Sequence, residues 1–211
     1  MPTQIQVRKD TAANWATNNP ILLPGEFGHV SGTGLVKIGD GVTSWNNLLY
    51  VGTDYYALTA NGSAVGPTIA NFFSAGNIVL PAASSFDLEY GIHFTKTTAG
   101  TVTFTLTNSQ APVNMAAYYV GGPVTGVQAV GAPITAAVAN SVALATVIPV
   151  TSSLTTAVNH QFRIRANVTT HATIASKVSL QVTSSAGTIT PLRGSFYTVR
   201  AIPANVGAFV A

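Results

Sequence analysis

Asp87 and Glu89, two apart in Phe86-Asp-Leu-Glu-Tyr90, are the residues of this chain whose types and spacing come nearest to catalytic equipment. On a strand both point to one face, about 7 Å apart by strand rise. Paired carboxylates at that distance would suit glycoside hydrolysis, one giving a proton and the other attacking or activating water. Glycosidase carboxylates flank a bond held in a cleft and come from different chain segments, so this pair reads as two solvated charges on an outer face. The four histidines, His29, His93, His160 and His171, have no paired metal-ligand spacing and read as surface or lightly buried polar groups. Serines are plentiful, but Gly-x-Ser-x-Gly is absent. Gly28-His-Val-Ser-Gly32-Thr-Gly34 has the glycines of a phosphate loop without its Gly-Lys-Ser/Thr ending, and it opens no helix. There is no cysteine, which removes disulfides, thiol chemistry and Cys-based zinc motifs. The expectation is a protein that is not an enzyme, with no catalytic residue, cofactor or metal.

The first fifty residues carry the most local information. Ile5 and Val7 alternate with Gln4, Gln6 and Arg8, a pattern for a half-buried strand. Asp10 is placed to cap a helix whose first turn is Thr11-Ala-Ala-Asn14. That helix must stop by Asn19, because Pro20 disfavours helical geometry in the residue before it. About two turns are too few for stability alone in water, and Trp15 is its one large apolar group, available to pin it to a sheet. Pro24-Gly25 is a turn dipeptide. Leu35-Val-Lys-Ile38 reads as a strand, Gly39-Asp40-Gly41 as a tight turn, and Trp45 and Leu48 as anchors for the returning chain.

Taken in order, Ile5-Gln-Val-Arg-Lys, Thr11-Ala-Ala-Asn-Trp15, Asn19-Pro20, Gly25-Glu-Phe-Gly28, Lys37-Ile-Gly-Asp-Gly41, Thr43 and Trp45-Asn46 resemble the N-terminal module of phage tail-fibre proteins, receptor-binding tropism determinants and prophage hyaluronidases. Two positions differ: Asp10 stands where that family usually has Gly, and Gly32-Thr33 where it tends to have an acidic residue and Thr. In that family the module is an intertwined trimer near the virion attachment point. The resemblance implies a virion component and marks Arg8, Trp15, Glu26, Lys37, Gly39, Asp40, Gly41 and Trp45 as residues of module packing and assembly. Hyaluronidase chemistry lies outside this module in the family and does not come with it.

Composition points the same way. Only 7% of the 211 residues are charged, against about 25% in ordinary domains. Nothing after Glu89 is acidic, and no Asp, Glu, Lys or Arg lies between Lys96 and Arg163. A monomer with so few charges would be poorly soluble, so much of its surface is expected to be covered by copies of itself or by other subunits. The net charge is +3, and the basic residues Lys96, Arg163, Arg165, Lys177, Arg193 and Arg200 are scattered over more than a hundred positions. No dense basic patch with interleaved aromatics is visible, so nucleic acid is not an expected partner. The start shows no secretion signal, which suits maturation in a reducing bacterial cytoplasm. The apolar stretch Ala129 to Val150 is interrupted by Pro133, Asn140 and Pro149 and lacks flanking charges. It reads as strands and loops of an oligomer, not as a membrane span.

From Val51 the chain reads as a linker or arm to residue 76, with Pro67 to Phe73 able to form one short helix behind Pro67. Residues 77–211 then show short strands at close spacing: Phe86 to Tyr90, Val102 to Leu106, Met115 to Val120, Val142 to Val150, Phe162 to Val168, Val178 to Val182 and Phe196 to Ile202. The fold expected is mainly β: a small module over residues 1–50 with one short helix, then an antiparallel, jelly-roll-like sandwich. Two functions fit. One is a homotrimeric capsid decoration protein, cement or head fibre, attached to the major capsid protein or other virion subunits. The alternative is a tail-fibre or baseplate receptor-binding protein with a host surface glycan as partner. Low charge and the lack of a shaft repeat favour decoration.

Overall fold

The computed structural model describes residues 7–74, 78–123, 137–141, 145–154, 156 and 158–202. The chain is mainly β and divides into two compact units, residues 1–54 and 55–211.

In the first unit, β1 (Arg8–Asp10), α1 (Ala12–Asn18), β2 (Phe27–Val30) and β3 (Val36–Ile38) are followed by one 3₁₀ turn, Trp45–Asn47. The sheet order is β1-β2-β3. β1 runs parallel to β2, with Arg8 opposite Gly28, and β2 runs antiparallel to β3, with Phe27 opposite Ile38. A parallel pair needs a crossover connection, and α1 supplies it. Its cap is one residue later than the sequence suggested. Thr11 is the N-cap, its Oγ1 accepting the Asn14 N–H at 3.2 Å. Asp10 is held in β1 opposite Val30, and its carboxylate takes the Thr11 N–H and the Asn14 side-chain amide instead. The helix stops at Asn19, which is left-handed (φ 42°) and donates its N–H to the Trp15 carbonyl.

The second unit begins within β4 (Thr53–Ala57) and continues through β5 (Ala70–Asn71), β6 (Ile78–Leu80), β7 (Ser85–Lys96), β8 (Gly100–Asn108), β9 (Asn114–Pro123), β10 (Ala137–Ser141), β11 (Ala145–Leu154), β12 (His160–Thr169), β13 (Ser176–Ser184), β14 (Ile189–Pro191) and β15 (Phe196–Ile202). One sheet runs β10-β9-β12-β7-β15-β4, with β14 also on β7; the other runs β11-β8-β13-β5, with β6 also on β13. β12 alternates between buried and exposed along its length, the period of a strand with one face inward. The two inner faces meet through aromatic side chains: Phe104 of β8 lies 6.1 Å from Phe94 and 5.6 Å from Phe162, ring centre to ring centre. This is a β-sandwich.

Two local expectations are overturned. Residues 67–73 form no helix: Ala70–Asn71 pairs with Val182 and Gln181, and Phe72 and Phe73 drop into the core. Tertiary pairing and two buried aromatics outweigh the weak helical start behind Pro67. His160 is fully buried, not at the surface, because its strand position faces inward against Phe94. Of the stretch 129–150, residues 137–141 and 145–150 are strands, and 129–136 and 142–144 lie outside the described residues. Among the described residues no helix is long and apolar enough to cross a membrane.

Candidate functional site

The residues marked in the first unit converge on a pair of stacked tryptophans. Trp15 on α1 and Trp45 on the 3₁₀ turn lie 4.0 Å apart, 11° from parallel. Trp15 also donates its Nε1–H to the His29 carbonyl at 3.0 Å, which fixes the helix on β2. The outer faces of the pair carry cations: the Arg8 guanidinium is 5.1 Å from the Trp15 ring centre and Lys37 Nζ 4.9 Å from that of Trp45. Cation–π attraction strengthens where water is excluded. The core around them is Leu22, Val30 and Leu48, with Tyr50 packed alongside.

Arg8 reaches Glu26 at 3.2 Å. The other Glu26 oxygen accepts the Leu23 N–H, which, with Arg8, holds the carboxyl below its usual range despite partial burial. Gly39 lies against the Leu22–Leu23 backbone; a Cβ there would sit 2.2 Å from the Leu23 carbonyl oxygen. Gly41 is left-handed (φ 82°) beside Pro24. Between them Asp40 closes an Asx-type loop, accepting from the Val42 and Thr43 N–H groups and the Thr43 hydroxyl. Burial raises the Asp40 carboxyl, and those bonds more than offset it. Gly39 is not a hairpin tip: it still exchanges backbone bonds with Gly25 and Glu26.

Lys37 is 4% exposed. Its Nζ donates to the Trp45 carbonyl at 2.8 Å and sits 4.3 Å from the Tyr50 ring centre. Asp54 is 3% exposed; Oδ1 accepts the Tyr50 N–H at 3.1 Å, and Oδ2 has no hydrogen-bond partner among the described residues. Burial pushes the Lys37 ammonium down to about 8 against the opposing pull of Asp54, and burial raises the Asp54 carboxyl. Because Lys37 sits below the ordinary lysine value of 10.5, the unfolded chain binds more protons than the folded one between those values, and stability contributed by this group rises with pH there. We expect the wild-type unfolding midpoint to climb relative to Lys37→Met between about pH 8 and about pH 9.5, below the range where tyrosines ionise. Equal slopes in denaturant melts across that range would contradict the burial of a charged Lys37.

Asp54 and Tyr50 were not legible as members of this cluster. A lone acid after Gly52-Thr53 carries no signal of burial until its strand is placed.

Large apolar side chains of this unit are exposed among the described residues. Phe27, opposite Ile38, is exposed with it, as are Ile21, Leu23, Leu35, Val42 and Val51. Among the described residues, eight of the thirteen exposed large apolar side chains lie in residues 7–54, more than the five that form that unit's own core. In the second unit, Asp87 and Glu89 do share one face of β7, where both are ion-paired to arginines of neighbouring strands.

Two solved structures, those of infectious bursal disease virus Gx and Gt strains, are weakly similar to this chain. They align at 12% and 14% identity with TM-scores of 0.17 and 0.16, over 73% and 95% of this chain and 41% and 58% of theirs. Scores this low carry no structural conclusion. The hyaluronoglucosaminidase of Streptococcus pyogenes phage H4489A is 37% identical over 51 residues, which is 24% of this chain and 14% of that protein. Residues 5–43 match the family described as the major tropism determinant N-terminal domain, so the module built around Trp15, Lys37 and the Gly39-Asp40-Gly41 loop is similar to the one that opens phage tropism and hyaluronidase proteins.

Proposed function

We propose that this chain is a structural virion protein of a bacteriophage, a homotrimer that decorates the capsid as a cement or head-fibre protein and binds without chemistry. Its partners are further copies of itself and the major capsid protein or other virion subunits, and it matures in the host cytoplasm before joining the particle. The supporting observation is the set of large apolar side chains exposed on the first unit, with Phe27 and Ile38 opposite each other on β2 and β3. A unit of that size rarely holds together on its own core, and oligomerisation is one remedy. Phe27, Leu23, Ile38 and Val42 are the side chains such a contact would bury. The trimeric state follows the family resembled.

Attachment of this kind is apolar, so it resists salt. Exposed ion pairs are screened within about 10 Å at 0.1 M salt, whereas apolar burial is not weakened by added salt. Retention on purified particles is expected to survive molar NaCl and to fail in guanidinium chloride. Release by salt alone would refute the apolar mode. The second reading, a tail-fibre or baseplate receptor-binding protein, is favoured by the tropism-determinant match of residues 5–43. Copy number per particle separates the two: hundreds for the capsid, tens or fewer for the tail. A deletion phage that keeps full capsid stability but no longer adsorbs would move the assignment to the tail.

A further inference from the structure

The outer face of the β12-β7-β15-β4 sheet gathers most of the second unit's charge. Five of the eight formally charged side chains in residues 55–211 stand there in one chain of ion pairs. Arg163 reaches Glu89 at 2.7 Å; Arg165 bridges Glu89 at 3.6 Å and Asp87 at 3.5 Å; Arg200 reaches Asp87 at 2.9 Å. The carboxylates lie low, 16% and 20% exposed, and the guanidinium side chains stand above them at 45% to 65%. An incoming ligand therefore meets arginines first, held in place by acids beneath. The face carries three positive and two negative groups, so its net charge is +1.

Beside this ladder is an aromatic plate. Phe196 packs over Gly91, where a Cβ would come within 2.2 Å of its ring. Tyr55 from β4, 61% exposed, stacks on Phe196 at 5.2 Å between ring centres and 25° from parallel. The Arg163 guanidinium is 5.9 Å from the Phe196 ring centre. Tyr55, Phe196, Glu89 and Arg163 come from four adjacent strands and meet only in the folded sheet.

We infer that this face binds an acidic saccharide, with the apolar C–H face of one sugar ring on the outer face of Tyr55, which Phe196 backs, and a carboxylate of the saccharide on Arg163. Charge selects the anion: a guanidinium has five donors, and the hydrogen bond of Arg163 to Glu89 uses one of them. Glu89 and Asp87 select a sugar over a nucleic acid. Carboxylates accept hydrogen bonds from hydroxyl groups, which a saccharide has in number, and with three arginines to two acids the face has net charge for a single carboxylate, not for a run of phosphates. Single-stranded nucleic-acid sites also stack bases on aromatics, but in grooves that are uniformly basic.

The test uses the full chain on immobilised uronic-acid-containing oligosaccharides, their carboxyl-reduced neutral counterparts, and a single-stranded DNA oligonucleotide. Binding to at least one acidic sugar is expected, weaker binding to its reduced form, and none to DNA. Arg163→Ala should lower affinity about tenfold, the scale of a lost hydrogen bond to a charged group, and Tyr55→Ala by about the same factor through the lost aromatic contact, with unfolding midpoints retained. Lys177→Ala, a basic residue on the other sheet, should change nothing. The inference is overturned if no acidic sugar binds, if neutral forms bind as well, if DNA binds through the same residues, or if both variants bind normally. Failure here would leave the assembly reading standing, since that is read from oligomeric state and particle retention.

Discussion

Truncating Trp45 to Ala will cost the N-terminal unit about 3 kcal/mol or more, the usual range for removing a large buried aromatic. Trp45 is the keystone of that small core. It stacks on Trp15, meets Tyr50 edge-on at 6.4 Å, and covers Gly28, whose missing side chain leaves room for its ring. Its carbonyl also accepts a hydrogen bond from the buried Lys37 ammonium. Losing the indole leaves a cavity beside Trp15 and strips the Lys37 ammonium of one aromatic face, so a charged group loses shielding along with the packing. With so few core residues in the unit, nothing else can compensate. Loss of the cooperative unfolding transition of this unit, followed through Trp15 fluorescence, is the expected readout. An unchanged midpoint and unchanged assembly would show that the stacked pair does not hold the module together.

The second large effect concerns assembly. Replacing Phe27 and Ile38 together with Asp is expected to convert the proposed trimer to monomer at micromolar concentration while leaving the protomer folded. Both side chains are exposed in the protomer and opposite each other in the β2–β3 pair, so acids there remain solvated in the single chain. In an apolar contact each carboxylate must lose its water, at several kcal/mol per ion. A symmetric oligomer repeats that penalty in every subunit. Sedimentation velocity of wild type and variant, with tryptophan fluorescence as the control for folding, decides it. A wild-type monomer would remove the proposed assembly, and a variant that still forms the trimer would place its contact elsewhere.

Much of the secondary structure lay in the local pattern. The strict alternation of Phe162 to Val168 is the buried-exposed alternation of β12, and Phe196 to Ile202 are the bounds of β15. Asn19 before Pro20 ended α1, and both tryptophans were readable as anchors because few other groups nearby could serve. These features depend on side-chain period, proline sterics and size, which a short segment carries by itself. Whether a polar residue is inside was not local. Lys37 alternates as any surface lysine would, yet its strand position points at Trp45 and Tyr50. Asp54 joins it from another strand, and His160 turns inward opposite Phe94. The helix expected over residues 67–73 gave way because Ala70 and Asn71 found partners on β13, over a hundred positions away. The Tyr55–Phe196 plate and the arginine ladder likewise join residues that only strand order makes neighbours. The sequence by itself determined most of the long extended segments and which side chains are large enough to anchor them. The tertiary structure alone decided which charges are buried and which surfaces are assembled, because burial and juxtaposition depend on pairing between distant segments, and no local period encodes that.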